Sequence, residues 1–157
     1  MVRRGAWLVV AISVALAVVV GVPAGAQDGE DVRFATIATG ATSGIREPAQ
    51  AIVRDPAAWS ALWRRHTRGA GAPLPAVDFE REMVVGIFAG VSPKPARVTV
   101  HRVTQRSGRL VLWYSIRENR PLPDGEGLPP SAAFHIVRLA RSPLPVEFSV
   151  LKLPQVY

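Results

Sequence analysis

DPAAWSALWRRHTRGAGAPLPAVDFEREMVVGIFAG, residues Asp55 to Gly90, decides how the chain folds. Asp55-Pro56 has the form of a helix start, an acceptor for the free first-turn amides followed by a proline that forfeits no hydrogen bond there. Trp59, Leu62, Trp63 and His66 then recur at i, i+3, i+4 and i+7, one stripe of a helix, with Ser60, Arg64, Arg65 and Arg68 on its other sides. A helix this short is marginal alone in water, so burial of two tryptophans and a leucine must hold it, at about 1.5–3 kcal/mol per large apolar side chain. The cationic last turn suits the helix dipole, and Gly69 is the expected C-terminal cap.

Working outward, Thr67–Val77 is a Gly/Ala/Pro connector, and Asp78-Phe79-Glu80-Arg81 reads as one capped turn that drops Phe79 into the core. Met83–Ala89 is apolar on both alternating faces: Met83, Val85 and Ile87 on one, Val84 and Phe88 on the other. Such a strand is central and covered on both sides. Upstream, Arg33–Thr39 alternates weakly as a possible first strand, and Pro48 means that the extended segment Ile45–Arg54 lies at an edge or contains a bend. Downstream, Arg97–Val103 and Arg109–Ile116 form a hairpin across Thr104–Gly108, with Leu110, Leu112, Tyr114 and Ile116 on one face of its second strand and Val111 and Trp113 on the other. Phe134–Leu139 and Val146–Leu151 supply the last strands. The expected class is α+β: a curved antiparallel sheet of about six strands, as a roll or small sandwich, with one packed amphipathic helix.

The first 26 residues read separately. Arg3 and Arg4 precede an uncharged run from Leu8 to Val20, and Ala24-Gly25-Ala26 matches the small-x-small pattern cut before Gln27. A cleaved signal peptide over 1–26 is expected, which places the chain in the secreted or cell-envelope compartment. The competing reading is an uncleaved anchor, the one route to a membrane. Residues 27–44 then form a mobile N-terminal segment with a possible first strand, and 45–157 the domain. There are no cysteines, so disulfides and a lipid anchor on cysteine are excluded. A formal charge of +7, carried almost wholly by arginine, fits a basic soluble surface; no nucleic-acid partner is expected.

Chemistry-bearing patterns are scarce. His66, His101 and His135 have no metal-ligand spacing, no Gly-x-Ser-x-Gly elbow occurs, and the carboxylates Glu80, Glu82, Glu118, Asp124 and Glu126 sit in ordinary solvated contexts. No catalytic residue, cofactor or metal is therefore assigned, and a non-enzymatic role is expected. His66 reads as a hydrogen-bonded packing residue; His101 and His135 lie on strands that could meet across a sheet, but each reads first as an ordinary half-exposed strand residue. Ser115 reads as packing beside Trp113. Two surfaces remain. One is the entrance and body of a long proline-rich loop: Arg117, Glu118, Arg120, Pro121, Pro123, Asp124 and Glu126. The other is the outer helix face, Arg64, Arg65 and Arg68, as a surface for anionic polymers.

The order of these features resembles the C-terminal domain of the PrcB family, named for a subunit of a protease complex. The matching pieces are Trp59–His66, Val77-Asp78-Phe79, Met83–Gly90, the hairpin Arg97–Ile116 and Phe134–Leu139. Where that family tends to carry a Gly-Gly-Tyr-like turn before the first hairpin strand, this chain has Pro93-Lys94-Pro95-Ala96-Arg97. The resemblance implies an exported accessory or protein-interaction module, partnered by another exported protein such as a protease subunit, and carries over no catalytic residues.

Overall fold

A computed structural model of the chain describes residues 29–118 and 130–152. In chain order the elements are β1 (Glu30–Asp31), β2 (Phe34–Gly40), β3 (Ala49–Val53), α1 (Pro56–Thr67), β4 (Glu82–Phe88), β5 (Ala96–Arg106), β6 (Arg109–Glu118), β7 (Phe134–Ala140) and β8 (Val146–Val150). They form two four-stranded sheets, β1-β5-β6-β8 and β2-β7-β4-β3. The α+β class stands as expected, with one helix among the described residues. The expected six strands become eight among the described residues, divided between two sheets, and one pair, β6 with β8, is parallel.

The helix forms where its stripe and caps require. Asp55 is extended at the cap, and its carboxylate accepts from Ala58 N–H at 2.8 Å. At the other end the left-handed residue is Arg68 (φ 54°), one position before the glycine expected there, and Gly69 follows it into positive φ. Trp59, Leu62 and His66 are buried. The two indoles also use their polar ends. Trp59 Nε1 donates to the Pro75 carbonyl at 2.9 Å and Trp63 Nε1 to that of Ala72 at 3.3 Å, so the proline-rich connector is laid back along the helix. Gly44 is required for the helix to dock: a Cβ there would lie 2.2 Å from the Arg65 carbonyl oxygen.

β4 divides its side chains as its alternation predicts. Met83, Val85 and Ile87 enter a core shared with Val98, Val100 and Val103 of β5 and Leu110, Leu112 and Tyr114 of β6, between the sheets. Val84 and Phe88 enter a second core with Trp59, Leu62, Phe79, Phe134 and Ile136, between the second sheet and α1. Ile116, expected on the core face of β6, is 44 % exposed near the strand's end. The β5–β6 turn is tighter than expected: both strands run on to a two-residue loop, Ser107-Gly108, in which both residues have positive φ. That is the geometry a right-handed hairpin twist selects.

The crossover from β7 in one sheet to β8 in the other is held by two arginines. Arg54 donates from Nε to the Ser142 carbonyl (3.1 Å) and from Nη2 to that of Leu144 (2.9 Å). Arg141 reaches back to the carbonyls of Arg54 and Phe79. β1 and β8 close the edges of the first sheet, β2 and β3 those of the second.

Candidate functional site

The helix covers the outer face of the second sheet. The outer face of the first sheet carries no such layer among the described residues, and it forms a groove of about 900 Å³. The β5–β6 register explains its lining. Thr104 opposes Val111, Arg102 opposes Trp113 and Arg106 opposes Arg109, all with side chains away from the inter-sheet core. Val111 and Thr104 are buried and make the floor; Trp113 is half-buried, its Nε1 at 3.5 Å from Thr104 Oγ1. β8 adds Glu147, and Leu151 completes the lining. Three arginines, Arg102, Arg106 and Arg109, stand against one glutamate in that lining. Arg109 Nη1 pairs with Glu147 Oε2 at 2.9 Å, and Arg102 Nε with Asp31 Oδ1 at 3.3 Å.

A histidine–serine cluster adjoins the groove. His101 Nε2 and Ser115 Oγ are 2.8 Å apart, with Ser115 2 % exposed and His101 exposed. Nucleophilic use of that hydroxyl would require the imidazole to be oriented by a third group. Among the described residues no carboxylate bonds to His101, so the contact is a hydrogen-bonded pair without the rest of a triad.

His135, 7 % exposed, occupies a different position, at the meeting of two β-bulges. β2 is irregular between Thr36 and Ala38, and β5 between Val100 and Arg102. The imidazole accepts the Val100 N–H at Nδ1 (3.0 Å), and Nε2 lies 2.8 Å from Thr36 Oγ1. With Nδ1 accepting, the neutral ring carries its proton on Nε2 and donates it to the threonine. Burial pushes the pKa of His135 below its ordinary value, and the neighbouring His101 adds to the effect. His66 is likewise lowered by burial; it shares a 2.9 Å hydrogen bond with Ser43 and packs edge-on against Phe134 at 4.2 Å. His66 is thus a packing residue, as expected; His101 and His135 lie on strands of different sheets, and His135 is buried rather than half-exposed.

The residues marked from sequence fall elsewhere. Arg117 and Glu118 lie at the far end of β6 from Arg109, about 26 Å along the strand at the usual rise. Glu118 pairs with Lys94 at 3.3 Å. Arg120, Pro121, Pro123, Asp124 and Glu126 lie outside the described residues. Arg64 and Arg65 are exposed on the last turn of α1 and Arg68 is its C-cap, at the negative end of the helix dipole, which favours the cations but not an anion bound to them. Of the surface residues marked from sequence, none of those described lines the groove. The groove was nonetheless signalled by alternation, Arg102-x-Thr104-x-Arg106 facing Arg109-x-Val111-x-Trp113; what hid it was the bulge at His101, which changes the face of the residues that precede it.

Among the described residues no group of three or more histidine, aspartate or glutamate side chains is placed to hold a metal, and no helix is long and apolar enough to cross a membrane. The chain matches no protein-family model, no curated protein and no solved structure.

Proposed function

We infer that this chain is an exported, non-catalytic interaction domain of the cell envelope, an accessory module of the PrcB kind, that binds another exported protein through the open face of its first sheet. Read as a small sandwich, the fold has a helix on one outer face and a groove on the other. The observation that carries the reading is that groove, with half-buried Trp113 and three exposed arginines in its lining. Tryptophan and arginine are the side chains that most often anchor protein contacts. The export reading rests on Arg3, Arg4, the Leu8–Val20 run and Ala24-Gly25-Ala26.

A photo-cross-linking residue placed at 106 or 113, and at 65 on the helix as a comparison, tests the reading in cells that export the chain. Cross-links to one defined envelope protein from 106 and 113, and none from 65, are expected. Cross-links from 65 alone, lost steeply as salt rises, would favour the Arg64/Arg65/Arg68 surface for anionic polymers instead. Turnover of a peptide or glycan panel by the purified chain, abolished by Ser115→Ala, would overturn the non-catalytic assignment.

A further inference from the structure

The charges of the groove are unevenly answered. Arg109 has Glu147 and Arg102 has Asp31, but Arg106 has neither an ion pair nor a side-chain hydrogen bond among the described residues. Arg106 is also the register partner of Arg109 across the hairpin. Like charges directly opposed on one sheet face repel, so the described side chains at that end of the groove carry a net positive charge. Trp113 stands four residues along β6, about 13 Å away at the usual strand rise, above a floor made by Val111 and Thr104. A small anion at Arg106 leaves Trp113 untouched, and so does a polymer that offers charge without apolar groups.

We propose that the groove takes an extended acidic segment of a partner protein, with a carboxylate on Arg106 and, four residues along, an aromatic side chain laid on Trp113. This rests on the binding role argued above and names the chemistry of the partner. The Arg106 guanidinium offers a carboxylate a two-pronged contact that also offsets its repulsion with Arg109. The spacing follows from the strands: a ligand running along β6 in extended form matches the Arg109-to-Trp113 interval with a four-residue interval of its own.

The test titrates the folded chain with end-blocked decapeptides, read by backbone amide NMR shifts. One peptide carries a glutamate pair and a tyrosine four residues on; one replaces the glutamates by glutamine, and one the tyrosine by alanine. Polyglutamate and inorganic phosphate are run beside them. Shifts confined to β5, β6 and β8 are expected, with affinity at least tenfold lower for the glutamine peptide and several-fold lower for the alanine peptide. Arg106→Gln and Arg106→Glu, both at an exposed site that faces Arg109, should weaken the first peptide at least tenfold without lowering the unfolding midpoint; Arg65→Glu should not alter binding. Equal affinity for the glutamine peptide, shifts centred on α1, or phosphate or polyglutamate binding as tightly as the tyrosine peptide would each overturn the proposal. If no peptide binds while cross-links from 106 and 113 still reach a defined protein, the acidic-segment inference fails and the binding role stands. If the cross-links are absent as well, both fail.

Discussion

His135 is the residue whose chemistry is most fully determined by its surroundings. Its Nδ1 must stay unprotonated to accept from Val100, and its lowered pKa accords with that. The groups around it are Thr36 from β2, the Val100 amide and His101 from β5, with Arg97 lining the opening beside it. Above pH about 6.5, the ordinary value for histidine, both folded and unfolded chains hold the ring neutral and no stability is lost. Below it the unfolded chain takes up the proton first, so stability falls as pH falls, levelling only once the folded ring is itself protonated. His66 acts in the same direction. Urea unfolding should therefore give a lower midpoint at pH 5 than at pH 7.5. His135→Asn, which can still offer an acceptor to Val100, should show a smaller difference between the two pH values than the parent chain. An unchanged difference would remove His135 from the account and leave His66 as its source.

At the scale of elements, α1 is held by its buried stripe, and the two tryptophans are not equivalent. Trp59 is 2 % exposed and bonds the connector at Pro75; Trp63 is half-buried and bonds it more weakly at Ala72. Trp59→Ala should cost about 3–5 kcal/mol, the usual penalty for an aromatic truncated in a core. Trp63→Ala should cost clearly less, measured as the difference in unfolding free energy between the two variants. Equal losses would mean that the connector contacts, which both indoles make, outweigh the burial, which they do not share. Arg54 and Arg141 show a different kind of element. Each ties carbonyls of the crossover or of its neighbours, so guanidinium groups add to the apolar core in holding the β7–β8 join.

For the molecule as a whole, the sequence was most legible where one residue's neighbours set its environment. The cap at Asp55, the Trp59–His66 stripe, the Phe79 turn and the two-sided β4 are local patterns, and each appears in place. What stayed hidden needed partners distant in the chain. Val146–Val150 alternates visibly, yet nothing in that alternation says that β8 lies parallel to β6 in a sheet that β7 does not enter. Two bulges converging on one imidazole leave no trace in composition. The groove was half legible: its alternating arginines were in view, but the face they share depends on the bulge at His101 and on which sheet lacks a helix.

The place of β7 in its sheet has a kinetic consequence. It lies between β2 and β4, and its register pairs Phe34 with Leu139 and Met83 with the same leucine. A chain that emerges from its N-terminus thus makes β2 and β4 long before the strand that must separate them. Until residues 134–140 arrive, β4 has only β3 as a sheet partner and β2 has none. Loop closure over about a hundred residues comes before any reward from those pairings, so refolding is expected in the millisecond-to-second range of strongly non-local β proteins. A chain ended at Pro130 should show no cooperative unfolding transition by circular dichroism; a sharp one would place the nucleus in the β5–β6 hairpin alone. Under the export proposed above, this order of emergence would keep the polypeptide unfolded through most of its passage and let the fold lock only near the end.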